Sequence, residues 1–105
     1  MIRQTVLLAA LGLSLGCGPI QSTALLLDAD VALDSARTAN AERLAPYEYT
    51  AARLYLLKAR EEVGYSDFDV AVDFARKAAK FAREAREKAL ASAEQESLSP
   101  PPVVP

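Results

Sequence analysis

An alanine repeat in the second half of the chain constrains the fold more than any other feature. Its members recur at alternating spacings of three and four residues, which places them on one side of an α-helix. They are Phe68, Ala71, Ala75, Ala78, Ala82, Ala85 and Ala89. Because alanine has no side chain beyond Cβ, a partner helix can approach closely, although each contact buries little apolar surface. The repeat therefore predicts a long helix, at about 67–96, that packs against other helices.

The partner of this alanine seam has two interpretations. In the first, the seam packs against another helix of the same chain. In the second, several chains associate through it as a coiled coil. We favour internal packing, because a helix break expected at Pro46 argues against one long rod.

Proline separates two further helices. Apolar residues from Thr23 onward have helical spacing and predict a first helix at about 22–44. Pro46 disfavours helical angles at the preceding residue and suits the first position of a second helix, at about 46–63. The apolar residues of the second helix cover more than a narrow stripe, so we expect it to be the central helix, packed on two sides.

The connection to the third helix contains glycine and serine. Gly64 is expected to take the left-handed conformation in which many helices end. Ser66 is expected to cap the next helix, with Asp69 three residues later in a capping-box position. The predicted fold is thus all-α, a small antiparallel helical hairpin or three-helix bundle over residues 23–96.

The two ends of the chain do not belong to this predicted domain. Residues 97–105 contain Pro100, Pro101 and Pro102 and predict a disordered proline-rich tail, extended in a polyproline-like conformation or serving as a short ligand. Residues 1–16 have one positive charge, Arg3, followed by an apolar stretch that is too short for a membrane span of about 20 residues. They predict a cleavable export signal.

The predicted signal ends in a motif that resembles a bacterial lipobox. The motif is Leu13-Ser14-Leu15-Gly16-Cys17. The resemblance implies cleavage between Gly16 and Cys17 and attachment of acyl chains such as palmitate to Cys17, followed by a lipidated tether over residues 17–22. Gly18, where aspartate would favour the inner membrane, implies an outer-membrane anchor that faces the periplasm. The alternative is an ordinary secretory signal or short anchor, with Cys17 as an incidental free thiol.

The residue types present disfavour catalysis. The chain has one cysteine and no histidine, so an internal disulfide, structural zinc and a Cys/His nucleophile pair are excluded. We expect no cofactor, no metal and no enzymatic activity. Of 12 Lys and Arg residues, Arg3 lies in the predicted signal, which leaves 11 against 14 Asp and Glu and a net charge of about −3. That balance does not favour nucleic-acid binding.

Three groups of polar side chains have both a structural and a binding interpretation. Basic residues that include Arg76, Lys77, Lys80 and Arg83 are candidates for contact with an anionic surface, or form a solvated face with i,i+4 pairs to Glu84 and Glu87. The four tyrosines could form a stacking surface for sugars or a partner peptide, or pack their rings at helix ends. They are Tyr47, Tyr49, Tyr55 and Tyr65. The acidic group Asp67, Asp69 and Asp73 could serve as a metal or acid–base site, but Asp67 and Asp69 also suit the positive end of a helix, and we favour this structural use.

Residues of the second and third predicted helices resemble an alanine-rich helical-hairpin family, domain of unknown function 4398. The resemblance rests on the run from Ala45 to Ala59, on Ser66-Asp67-Phe68-Asp69 and on the alanines that follow. It covers residues 24–92 and implies a lipoprotein of a Gram-negative bacterium, with no catalytic residues assigned. The third helix is also similar to the second helix of a tetratricopeptide repeat.

The expected function is therefore that of a non-catalytic, lipid-anchored helical lipoprotein of the cell envelope that binds or scaffolds other molecules. Its expected partners are the membrane, through acyl chains on Cys17, and an envelope protein or peptidoglycan. The alternative is a self-associating coiled-coil spacer of the envelope, which would be a homo-oligomer.

Overall fold

The computed structural model describes residues 17–103, which form four α-helices and no strand. The helices are α1 (Cys17–Thr38), α2 (Ala41–Leu44), α3 (Pro46–Gly64) and α4 (Phe68–Leu98). The prediction of an all-α fold is confirmed. The predicted export signal, residues 1–16, lies outside the described residues.

The long helix α4 is the centre of a three-helix bundle. Both α1 and α3 pack along α4, whereas they contact each other much less. Glu48 of α3 reaches Lys88, and Tyr55 stacks on Phe74 and Phe81 nearer the start of α4, so α3 runs antiparallel to α4. α1 in turn runs parallel to α4. This direction follows from two ion pairs between the first part of the chain and α4. Asp28 pairs with Arg83, and Arg43, which is later in the chain, pairs with Glu96, which is later in α4.

The prediction that the second helix is central was wrong. That helix, α3, buries one face against α4 through residues spaced for a heptad. They are Tyr49, Ala52, Leu56 and Ala59. Its other large apolar residues remain exposed, and these broadened the apolar pattern from which two-sided packing was inferred. The alanine seam gives α4 the central position because it admits helices on both flanks.

Alanine dominates the core. Among the buried hydrophobic side chains, all but Leu33, Tyr49, Leu56 and Val72 are alanine. None of the six alanines of the seam, from Ala71 to Ala89, is more than 1% exposed. The seam is therefore buried within one chain, as the internal interpretation predicts.

The first helix ends earlier than predicted. α1 stops at Thr38, and Asn40 takes the left-handed conformation with φ 63° and ψ 33°. Asparagine tolerates this conformation better than most residues, so the break needs neither proline nor glycine. The short helix α2 then buries Ala41 before the break at Pro46, which occupies the start of α3 as predicted.

The connection between α3 and α4 also differs from the prediction. Gly64 is helical, and the left-handed residue is Ser66, with φ 60°. The N–H of Asp67 donates to the Glu62 carbonyl at 2.9 Å, and the N–H of Ser66 donates to that of Val63 at 2.9 Å. This pair of bonds is a Schellman motif, in which Ser66 takes the position usually given to glycine. Ser66 is thus not the cap of α4; Asp67 is the N-cap residue, without a side-chain cap bond.

The segments predicted as a tether and a tail lie at the start of α1 and after the end of α4. α1 begins at Cys17, so the segment predicted as a tether, 17–22, forms its first turns, and Ser22 is already buried. At the other end α4 reaches Leu98, and Ser99 has φ −73° and ψ 137°, the angles of polyproline II. Residues 100–103 continue without regular structure and are exposed.

Two separate substitutions in the turn after α3, Gly64→Ala and Ser66→Gly, are each expected to stabilise the bundle. Gly64→Ala places a better helix former where a Cβ meets no atom within 4 Å. Ser66→Gly removes the cost of a left-handed serine. Each change should raise the free energy of unfolding by about 0.5–1 kcal/mol, equivalent to about 2–8 °C in thermal unfolding followed by circular dichroism. A destabilising Gly64→Ala would instead place Gly64 in the left-handed conformation.

Enlarging a seam alanine is expected to destabilise the bundle. Ala82→Leu inserts a large side chain at a site with 0% exposure and should cost about 1–3 kcal/mol in urea unfolding. Ala91→Leu, on the exposed side of α4, is the matched control and should change stability by less than about 0.5 kcal/mol. Stabilisation by Ala82→Leu together with a larger oligomer would contradict internal packing.

Candidate binding groove

An aromatic groove runs between α3 and α4 on the outside of the bundle. The alanine seam brings the two helices close together, and the large residues that flank their buried faces gather along this margin. The groove has a volume of about 410 Å³, within the range of ligand sites, which is about 300–1,000 Å³. We call it the aromatic groove. It is lined by Tyr47, Ala51, Leu54, Tyr55, Lys58, Phe74 and Phe81.

The rings of the aromatic groove form one connected cluster. Tyr55 stacks on Phe81, with ring centroids 5.6 Å apart and an interplanar angle of 13°. It also stacks on Phe74, at 6.0 Å and 28°. Tyr47 meets Phe81 edge to face at 6.4 Å. Such pairs hold each ring in place, which gives the groove a preformed shape.

Two lysines lie beside this cluster. The Nζ of Lys77 is 5.7 Å from the ring centroids of both Tyr55 and Phe74, a cation–π arrangement of about 0.5–1 kcal/mol at an exposed site. Lys58 lines the groove and binds Glu61 at 3.3 Å. The hydrogen bond from Lys58 to Glu61 raises the pKa of Lys58, so its ammonium stays charged.

Part of the aromatic groove is open to solvent. Tyr47 is 72% exposed and Leu54 is 61% exposed, although both are large and apolar. Single exposed apolar residues are common, but a contiguous apolar patch in a concave surface is typical of an interaction site. The chemistry available here is recognition of an apolar ligand by rings, with donors from Tyr47, Tyr55 and Lys58.

An ion pair lies near the Tyr47 end of the groove. Lys88, two helical turns beyond Phe81 on the same side of α4, binds Glu48 at 3.1 Å. The backbone N–H of Glu48, in the first turn of α3, lowers the pKa of the Glu48 carboxyl, and Lys88 lowers it further against the opposing effect of burial. First-turn amides lack helical partners, which explains why this carboxylate is held in its charged form.

A second groove, between α1 and α3, is a weaker candidate. It has a volume of about 440 Å³, and its rim is formed by charged side chains that pair with one another. Asp30 binds Arg60, and Asp34 binds Arg37 at 3.1 Å. Arg37 also donates to the hydroxyl of Tyr49 at 3.1 Å. Paired charges leave little attraction for a further ligand.

The basic residues predicted to contact an anionic surface lie on two flanks of α4. Arg83 binds Asp28 of α1 at 2.7 Å, and helical spacing places Arg76 and Lys80 on the same flank. Lys77 lies on the other flank, over the aromatic cluster. Two basic side chains of α4, Arg83 and Lys88, bind carboxylates of other helices and not of their own helix. Close helix packing brings these carboxylates within reach.

Beside this basic flank, α1 carries an exposed apolar stripe. Ile20, Leu27 and Val31 share one side of the helix and are 71%, 64% and 62% exposed. Val31 also lines a shallow groove together with Arg83 and Arg86 of α4. The apolar stripe of α1 and the basic flank of α4 therefore form one continuous surface, on the opposite flank of α4 from the aromatic groove.

The predicted tyrosine surface forms only in part. Tyr47 and Tyr55 share the aromatic groove, but Tyr49 is buried and Tyr65 lies at the turn after α3. The sequence did not assign Phe74, Phe81 or Leu54 to a site. These large side chains lie next to seam positions in the sequence, a pattern that is equally typical of additional core residues.

Residues of the predicted acidic group lie at the start of α4. Asp67 precedes α4 and Asp69 lies in its first turn. Within residues 17–103, no group of three His, Cys, Asp or Glu side chains has the geometry to hold a metal ion. No helix in that part of the chain is both long enough and apolar enough to cross a membrane.

A family model matches most of the helical region. Its description is "Domain of unknown function (DUF4398)", and it matches residues 24–99, from the middle of α1 to the end of α4. Comparison with curated proteins and with solved structures gives no match.

Replacing Glu48 with glutamine is expected to destabilise the bundle at neutral pH by up to about 1 kcal/mol. Because the pKa of Glu48 is lowered from 4.5 in the folded state, its contribution is complete above that ordinary value and is lost as the pH falls through the lowered one. The urea-unfolding free energies of wild type and Glu48→Gln should therefore converge as the pH falls below 4.5. Glu94→Gln, an exposed site on α4, is the control. A difference that persists in acid would contradict the ionic role.

Proposed function

The chain belongs to the family described as Domain of unknown function (DUF4398), and we propose that it is a lipid-anchored, non-catalytic binding module of the bacterial cell envelope. The observation that carries the binding role is the preformed, partly exposed aromatic groove between α3 and α4. The lipobox-like motif that ends at Cys17 carries the anchor.

The position of Cys17 supports a close attachment to the membrane. It is the first residue of α1, and Ser22 is buried only five residues later. Acyl chains on Cys17 would therefore hold the bundle itself near the lipid surface, because no extended segment separates them. Several acyl chains give firm anchoring where a single chain gives only marginal binding.

The surface next to this anchor also suits a membrane. Ile20, Leu27 and Val31 present apolar side chains along α1. The neighbouring basic flank of α4, with Arg76 and Lys80, would meet anionic lipid headgroups. With this surface on the membrane, the aromatic groove on the opposite flank of α4 faces away from it and is accessible to a partner.

Burial of the alanine seam supports a binding module over a coiled-coil spacer. A spacer assembled through the seam would need these alanines on its surface, but all six from Ala71 to Ala89 are buried between helices of one chain. The break at Asn40 and the break at Pro46 further divide the first half of the chain into shorter helices.

The anchor is tested by expressing the full chain in a diderm bacterium and measuring its intact mass and membrane fraction. Wild type should lose residues 1–16, gain acyl mass on Cys17 and remain with the membranes. Cys17→Ala should lose the acyl mass and the membrane association, because no other thiol is present. Ser14→Ala, which keeps a small residue in the motif, is the matched control and should behave as wild type.

Two results would contradict the proposal. Wild type without acyl mass would remove the lipid anchor. A detergent-extracted wild type that forms a stable trimer or larger coiled coil, and keeps it when Pro100, Pro101 and Pro102 are replaced by alanine, would favour the spacer.

A further inference from the structure

The segment after α4 has the conformation of a proline-rich ligand. Ser99 has polyproline II angles, and three prolines follow it, Pro100 to Pro102. Val103 is 94% exposed, so this segment rests on no surface of its own chain at that point. A polyproline II segment has no internal hydrogen bonds and has little conformational freedom left to lose on binding.

The aromatic groove matches this segment in length and in shape. Grooves lined by aromatic rings are the usual binding sites of polyproline II segments. Phe74 and Phe81 are seven residues apart on α4, or about 10 Å along the helix axis. Polyproline II rises about 3.1 Å per residue, so the three steps from Ser99 to Pro102 extend about 9 Å, close to the distance between the two rings.

The hydrogen-bonding groups are also complementary. Proline has a backbone carbonyl but no N–H, so a run of prolines offers only acceptors. The groove lining includes the hydroxyls of Tyr47 and Tyr55, which can donate, whereas the ammonium of Lys58 is already paired with Glu61 and Glu62. Lys77 lies over two of the rings but is not part of the lining, so it leaves the groove open.

The prolines cannot reach Phe81 and Phe74 of their own chain, the two rings that they would span. From Leu98 back to Phe81 is 17 residues of helix, or about 26 Å. From Leu98 forward to Pro102 is four residues, which extend at most about 14 Å. The segment can therefore fill this groove only in another molecule.

We propose that the aromatic groove binds the proline segment Pro100–Pro102 of a second copy of this chain. The inference rests on the proposed binding role of the groove and adds the partner. The two copies are offset along their axes, so that the end of one α4 meets the middle of the other. Anchoring on one membrane raises the effective concentration of the copies, so a weak contact is sufficient.

The experiment measures binding of a labelled peptide, residues 97–105, to the detergent-extracted full chain by fluorescence anisotropy. The receptor carries alanine at Pro100, Pro101 and Pro102, so that its own segment does not compete. The peptide should bind saturably. Tyr47→Ala or Leu54→Glu in the receptor should weaken binding by about tenfold or more, as expected for central contacts of an interface.

Leu57→Glu is the matched control. Leu57 is on the same helix and is 63% exposed, close to the 61% of Leu54, but it lines only the groove between α1 and α3. It should leave the affinity within about twofold of the unsubstituted receptor, well short of a tenfold effect. Because Tyr47, Leu54 and Leu57 are all largely exposed, their variants should fold, which circular dichroism checks.

Self-association of the full chain is measured separately, by sedimentation velocity in detergent. Wild type should show concentration-dependent association that disappears when the three prolines are replaced by alanine. No saturable peptide binding, equal losses for Leu54→Glu and Leu57→Glu, or a wild type that stays monomeric would each overturn the inference. Acyl mass on Cys17 in the same preparation reports on the anchor separately, so the two proposals fail independently.

Discussion

Close approach of α1 and α3 to the alanine seam of α4 is the constraint on which the rest of the structure depends. Where the contacting side chains end at Cβ, helix axes come close, and any larger side chain is displaced to the margin. The aromatic cluster of Tyr55, Phe74 and Phe81 lies at such a margin, between α3 and α4. The interhelical ion pairs have the same origin, because Asp28 and Glu48 reach cations of α4 only across a short gap.

A core of alanine also determines where stability comes from. Alanine buries little apolar surface but has the highest helix propensity, so the helices themselves form readily while each contact between them contributes little. The larger buried hydrophobic side chains are Leu33, Tyr49, Leu56 and Val72. The exposed ion pairs add at most about 1 kcal/mol each. In such a thin bundle, half-buried rings at the margin contribute to the packing and also line a groove that is partly open to solvent.

Sequence patterns predicted the elements better than their arrangement. The seam and the break at Pro46 follow from spacing and from the missing donor of proline, which are local properties. The assignment of Gly64 failed because the Schellman bonds place the left-handed residue two positions later, at Ser66. The break at Asn40 has no strong local signal. Of the aromatic groove, the sequence indicated only Tyr47 and Tyr55, because the phenylalanines that complete it look like ordinary flanks of a core.

The opposite placement of two surfaces on α4 links the proposed anchor to the proposed self-contact. If bundles stood upright on a membrane, all proline segments would lie at one height and all aromatic grooves about 26 Å nearer the lipid, out of reach. The apolar stripe of α1 runs lengthwise, from Ile20 to Val31, and favours a bundle that lies along the surface instead. Two bundles that lie along the membrane can be offset along their axes within the membrane plane. The offset that the proposed contact needs then leaves both bundles at the same distance from the lipid. The stripe that we propose meets the lipid would therefore also make the groove reachable by a neighbour.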